Sequence, residues 1–172
     1  MKIFSNKYFV VVWTILRVWL GYQWIVPAME KLKDPTWVGS QAGAAITGFL
    51  KGALAKSTGD HPAVQWWYAK FVENVALPNA NIFTYVVPCG ELLVGISLIL
   101  GAFTIAGLLG GAFMNLNYLL AGTTSTNPIL YTAAIILMVV GANAYKIGVD
   151  KVIISYWKKK YGKPLRVVSS ET

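Results

Sequence analysis

One cysteine and one histidine in 172 residues leave this chain without much of the usual side-chain apparatus of redox and metal chemistry. Cys89 alone cannot close an intrachain disulfide or run a dithiol cycle. His61 alone cannot supply both axial ligands of a buried haem, or a His-rich metal site, within one chain. Charge is scarce as well: 13% of residues are charged, against about 25% in ordinary soluble domains. Acids are scarcest, with 7 Asp and Glu against 15 Lys and Arg. No internal repeat and no low-complexity tract is visible, and no small-x-small cleavage site follows the first apolar run.

What is present is apolar. Hydrophobic residues make up 56% of the chain. They gather at residues 8–29, 82–100, 103–121 and 129–147, each close to the roughly 20 residues a helix needs to cross a bilayer core. The expected fold is an all-α membrane protein, a four-transmembrane-helix bundle forming a single domain over residues 1–172. The first run carries Arg17 near its middle and reads as an uncleaved span rather than a signal peptide. The second and third runs meet at Gly101-Ala102, a turn tight enough to force an antiparallel helix pair. The last connection, 122–127, is polar and ends at Pro128, a residue suited to the first turn of a helix.

The net charge of +8 does not point to nucleic acid. Most of the excess follows the last span, in Lys146, Lys151, Lys158, Lys159, Lys160, Lys163 and Arg166. With Lys2 and Lys7 these outnumber the five lysines of the connection between spans one and two. The positive-inside rule then sets both termini in the cytoplasm, with 148–172 as a basic cytoplasmic tail near anionic lipid. The expected location is the cell (plasma) membrane, multi-pass. Residues 30–81 become an outer cap. Apolar residues at three- and four-residue spacing around Trp37–Leu54 and Trp66–Phe71 predict two short amphipathic helices there, with Trp66 and Trp67 as the roof of the bundle.

Function then turns on the few polar groups carried into lipid. Counting about 1.5 Å per residue sets Arg17 at about 14 Å and Glu91 at about 16 Å from the inner side. Matched depth predicts an Arg17–Glu91 pair inside the bundle, because a lone charge at mid-bilayer costs at least about 2.5–3.5 kcal/mol. Asn115 and Tyr118, three apart on one helix face, are positioned to join it, whereas Asn117 points elsewhere. The bland alternative is a structural latch that fixes helix pairing. Cys89 reads as a buried, inert thiol.

The same residues carry a family likeness. Leu16-Arg17-x-x-x-Gly21, Glu30-Lys31-Leu32, the run Gly90-Glu91 through Gly95 and Gly101, and Ala142-Asn143 through Gly148 and Asp150 together resemble the DoxX/DoxD family of small four-span membrane proteins. The stretches 71–79 and 113–122 are similar to its DoxD-type branch in particular. The resemblance implies a membrane subunit of a thiosulfate:quinone oxidoreductase, which passes electrons from thiosulfate to membrane quinone, working with a second small subunit. It implies quinone as the electron acceptor and no metal or haem in this chain. On the residues, Glu91 and Arg17 are the catalytic candidates, Glu91 as proton relay. Asn115, Tyr118, Tyr22 and Trp24 are the quinone-binding candidates, and Lys31, Lys33 and His61 would meet the thiosulfate dianion outside. The competing expectation is a non-enzymatic scaffold or stress-linked partner protein, so the sequence leaves the enzyme question open. A homo-oligomer is compatible with either reading.

Overall fold

The computed structural model describes residues 6–162; Lys2, Lys163 and Arg166 lie outside them. No strand occurs among the described residues. The chain runs α1 (Lys7–Lys33), α2 (Ala44–Ala55), α3 (Trp66–Phe71), α4 (Ala80–Leu100), α5 (Thr104–Leu120), α6 (Asn127–Val140) and α7 (Val149–Tyr161). A π-helical turn, Val72–Ala76, extends α3, and a 3₁₀ turn, Gly141–Tyr145, extends α6. Among the described residues, three helices are long and apolar enough to cross a membrane: Lys7–Lys33, Ala80–Leu100 and Asn127–Tyr145. At 17 residues, α5 is shorter, about 25 Å at the usual rise.

Surface and core have the character lipid demands. Ile15 and Val18 on α1, Leu93 on α4, Phe113 on α5 and Val139 on α6 are exposed. The buried polar groups, among them Arg17, Glu91 and Asn115, point inward. Hydrophobic burial does not hold helices together in lipid, so close packing must. Leu20, Leu98, Leu108 and Leu137 are fully buried at the bundle centre with Trp24 and Val94.

Helices α1 and α4 run antiparallel and cross at Gly21 and Gly95. A Cβ on either glycine would stand 2.9 Å from the other's carbonyl oxygen. Gly95→Ala should therefore overpack the crossing and cost about 1–3 kcal/mol. Gly52→Ala on α2, where no atom lies within 4 Å of the added carbon, should stabilise by about 0.5–1 kcal/mol through helix propensity. Thermal unfolding of both variants in one detergent checks the opposite signs.

The cap is built onto the bundle. Thr84 on α4 donates to the Trp37 carbonyl at 2.6 Å and accepts from the Gly43 amide at 3.2 Å. The Tyr68 hydroxyl donates to the Asn117 carbonyl on α5 at 3.0 Å, and burial pushes that phenol's pKa up, which keeps the proton in place. Lys56 reaches the Gly122 carbonyl at 2.9 Å. Where α1 ends, the Thr36 hydroxyl and amide donate to Asp34 and hold its carboxyl below the usual range. Two short helices, α2 and α3, lie in the connection between α1 and α4.

Within the stretch expected as a basic tail, residues 149–161 form α7. Asp150, in its first turn, accepts from the Phe103 and Thr104 amides at 2.7 and 2.8 Å, capping α5 and fixing the helix to the α4–α5 turn. Cys89 is exposed on α4 rather than buried.

Candidate functional site

The register of α1 against α4 decides which charges meet. Because Gly21 faces Gly95, Arg17 falls beside Gly101, at the end of α4, and not beside Glu91. A Cβ on Gly101 would overlap the Arg17 Nη1, and one on Gly148 would come within 2.9 Å of it. Arg17 Nη2 donates to the Ile147 carbonyl at 2.8 Å, while its Nε and Nη1 have no hydrogen-bond partner among the described residues. The expected Arg17–Glu91 pair does not form. Glu91 lies ten residues before Gly101, about 15 Å along the helix. The depth count failed because it set the start of α1 level with the end of α4, whereas Arg17 itself stands at the end of α4 and the ten residues of α1 before it project past Gly101.

Glu91 pairs instead with Lys31, from the last turn of α1. The Lys31 ammonium bonds both carboxylate oxygens at 2.7 Å. Glu91 is 2% exposed and Lys31 22%, so the acid is buried and the base reaches toward the surface. The Tyr118 hydroxyl donates to Glu91 Oε1 at 2.8 Å. Lys31 also lies 5.5 Å from the Trp37 ring centroid, a cation–π contact that ties the pair to the cap. Lys31 had been expected to receive an anion from outside; it is already engaged.

These groups line a cavity of about 240 Å³ with Trp24, Gln23, Thr126 and Asn115. Asn115 is 1% exposed, and neither its amide nitrogen nor its oxygen has a hydrogen-bond partner among the described residues. A buried, unsatisfied amide costs about 1–3 kcal/mol, and lining a polar cavity is the arrangement in which a ligand removes that cost. The roof is Trp37, Ile46 and Phe49. Trp66 and Trp67, expected there, are exposed on α3 and touch neither this cavity nor the next.

A second space adjoins the first. It is an apolar slot of about 490 Å³ between α4 and α5, floored by Gly90 and Gly110 and closed by Tyr68 and Phe71 of the cap. Val86 and Phe113 line it and are exposed, so it opens on the lipid-facing surface. Ile46, Phe49, Val87 and Tyr118 line both spaces. Tyr118 is thus the dividing wall, with its ring bordering the slot and its hydroxyl on Glu91.

Of the six catalytic and quinone-binding residues expected from sequence, four converge here: Glu91, Asn115, Tyr118 and Trp24. Arg17 borders neither space, and Tyr22 is exposed on the outer face of α1. Sequence reasoning missed Lys31 as the partner of Glu91. The signal was available in the length of α1, which carries Lys31 down onto α4. Among the described residues no group of three or more His, Cys, Asp or Glu could hold a metal.

The DoxX family model matches residues 12–125. The chain belongs to the DoxX family. The match takes in every residue of the Lys31–Glu91–Tyr118 network and the Asn115 amide, while Thr126 and the α6 side of the cavity of this DoxX protein follow it. No curated protein and no solved structure matches the chain.

Proposed function

We propose that this DoxX protein is the quinone-reacting membrane subunit of a thiosulfate:quinone oxidoreductase-like system of the DoxD type. The observation that supports the reading is an apolar slot, open to lipid, that shares Ile46, Phe49, Val87 and Tyr118 with the polar cavity in which Asn115 and the Tyr118 hydroxyl lie. A quinone needs an apolar channel for its tail and hydrogen-bond donors for its carbonyl oxygens. The slot has the character of the first. The Asn115 amide and the Tyr118 hydroxyl supply the second, and the unpartnered amide fits a ligand carbonyl. A bound quinone accepts two electrons and two protons; two thiosulfate ions joining as tetrathionate release the two electrons. For each of the two protons, Tyr118 would turn its hydroxyl from Glu91 to the quinone oxygen and give its proton there; the phenolate would then recover one from the Lys31 ammonium, passed through the Glu91 carboxylate that both residues bond, and Lys31, 22% exposed, would regain its proton from solvent. Trp24 supports the cavity wall.

In this reading α5 also crosses the bilayer, packed antiparallel against α4, to make four spans. Both termini lie in the cytoplasm, the membrane is the plasma membrane, and a second small subunit brings the thiosulfate.

The test is thiosulfate-dependent quinone reduction by the protein in lipid with its co-purified partners. Tyr118→Phe keeps the shape of the slot and removes the proton donor, and it should lower the rate by about 10²–10⁴-fold with the fold intact. Wild-type rates in Tyr118→Phe would exclude the phenol from the reaction.

The second reading, a non-enzymatic scaffold or stress-linked partner protein, draws on the saturation of Glu91. Lys31 engages both carboxylate oxygens, as a latch between α1 and α4 would require. That reading gives no role to the unpartnered Asn115 amide.

A further inference from the structure

We propose that the cleft between the Gly141–Tyr145 turn and α7 binds the phosphate of an anionic phospholipid. The cleft has a volume of about 280 Å³ and is bordered by Lys146, Lys151 and Lys158, with Tyr145 and Ser155 between them. Lys151, Ser155 and Lys158 fall on one face of α7 at helical spacing, and Lys146 approaches from the turn. No carboxylate lines it. Asp150, the acid of α7, faces the α4–α5 turn, where both its oxygens are taken by the Phe103 and Thr104 amides. Three ammonium groups around one small space repel each other unless an anion joins them, and the phenol and hydroxyl there add donors suited to phosphate oxygens.

The other side of α7 identifies the source of that phosphate. Val152, Ile153, Tyr156 and Trp157 are exposed, and the helix buries no residue against the protein. The side away from Lys151, Ser155 and Lys158 is apolar apart from Lys160, whose ammonium lies over the Tyr156 and Tyr161 rings near the helix end; such a helix lies in the membrane interface, its apolar side chains among the acyl chains and the lysine reaching to the headgroups. Its anchorage to the α4–α5 turn through Asp150 holds it at the end of the bundle, where headgroups lie. A phospholipid whose tails run beside Ile153 and Trp157 and whose phosphate enters the lysine cleft satisfies both faces at once. A soluble phosphate would satisfy only one.

The experiment uses the full chain purified in detergent, with lipid retention read by native mass spectrometry for phosphatidylglycerol, phosphatidylcholine and inorganic phosphate. Lys151→Gln/Lys158→Gln removes two cleft charges. Lys159→Gln/Lys160→Gln removes the same charge from α7 outside the cleft and serves as control. The wild type should retain phosphatidylglycerol over phosphatidylcholine. The cleft variant should lose that retention by roughly tenfold or more, the scale expected for two lysines near an anionic surface, while the control keeps it. Equal loss in both variants, or no preference for the anionic lipid, would overturn the site. Displacement of the lipid by inorganic phosphate at equal concentration would overturn the lipid assignment in favour of a free-anion site.

Discussion

Lys31→Met should destabilise the bundle by about 3–5 kcal/mol, the cost of leaving a buried charge without its partner. Glu91 is 2% exposed and would keep only the Tyr118 hydroxyl. Glu91→Leu should cost less, about 1–3 kcal/mol. It releases Lys31, whose side chain is 22% exposed and can turn its ammonium toward the headgroups along an apolar stem. The two effects should not add. In Lys31→Met/Glu91→Leu the stranded carboxylate is gone, so the double variant should lie near Glu91→Leu alone. Equilibrium unfolding of the three variants in one detergent gives the cycle. An additive result would mean that the pair seen at 2.7 Å carries no coupling.

Asn115→Leu should separate stability from binding. Both polar atoms of the amide are buried without a partner among the described residues, so replacing it with an apolar side chain of similar size removes a desolvation cost. Stability should hold or rise by about 1–2 kcal/mol. If Asn115 donates to a quinone carbonyl, affinity for a quinone analogue in nanodiscs should fall by about 1–3 kcal/mol, the worth of a buried hydrogen bond left unmade. A variant that binds as the wild type does would leave the amide with no role in the site.

How far the sequence reached depends on which distances were local. The helix pair at Gly101-Ala102, the two cap helices and the Asn115–Tyr118 face all follow from spacing within one segment. Arg17 did not, because its neighbours depend on the register between α1 and α4. That register is set by the Gly21–Gly95 approach, a contact between residues far apart in the chain. The same register brings Lys31 to Glu91, so one wrong assumption about how α1 and α4 are offset changed the partners of both charges. Helix α7 was hidden by its lysines, which lower its hydropathy below that of the spans although its Val, Ile and Trp repeat at helical spacing. Tyr22 and Trp24 sit two residues apart on α1 and therefore face different sides. Only the packing against α5 and α6 shows that Trp24 is the inward one.

The central claim is that a quinone enters through the α4–α5 slot, its tail along the slot and its head at Tyr118, where slot and polar cavity meet. Photolabelling with an azido-quinone in nanodiscs, followed by peptide mapping, addresses it directly. The account predicts label on the slot wall, between Phe83 and Val94 of α4 and between Gly110 and Tyr118 of α5, competed away by unlabelled quinone. Label on the exposed Tyr22 face of α1, or labelling that excess quinone leaves unchanged, would contradict it.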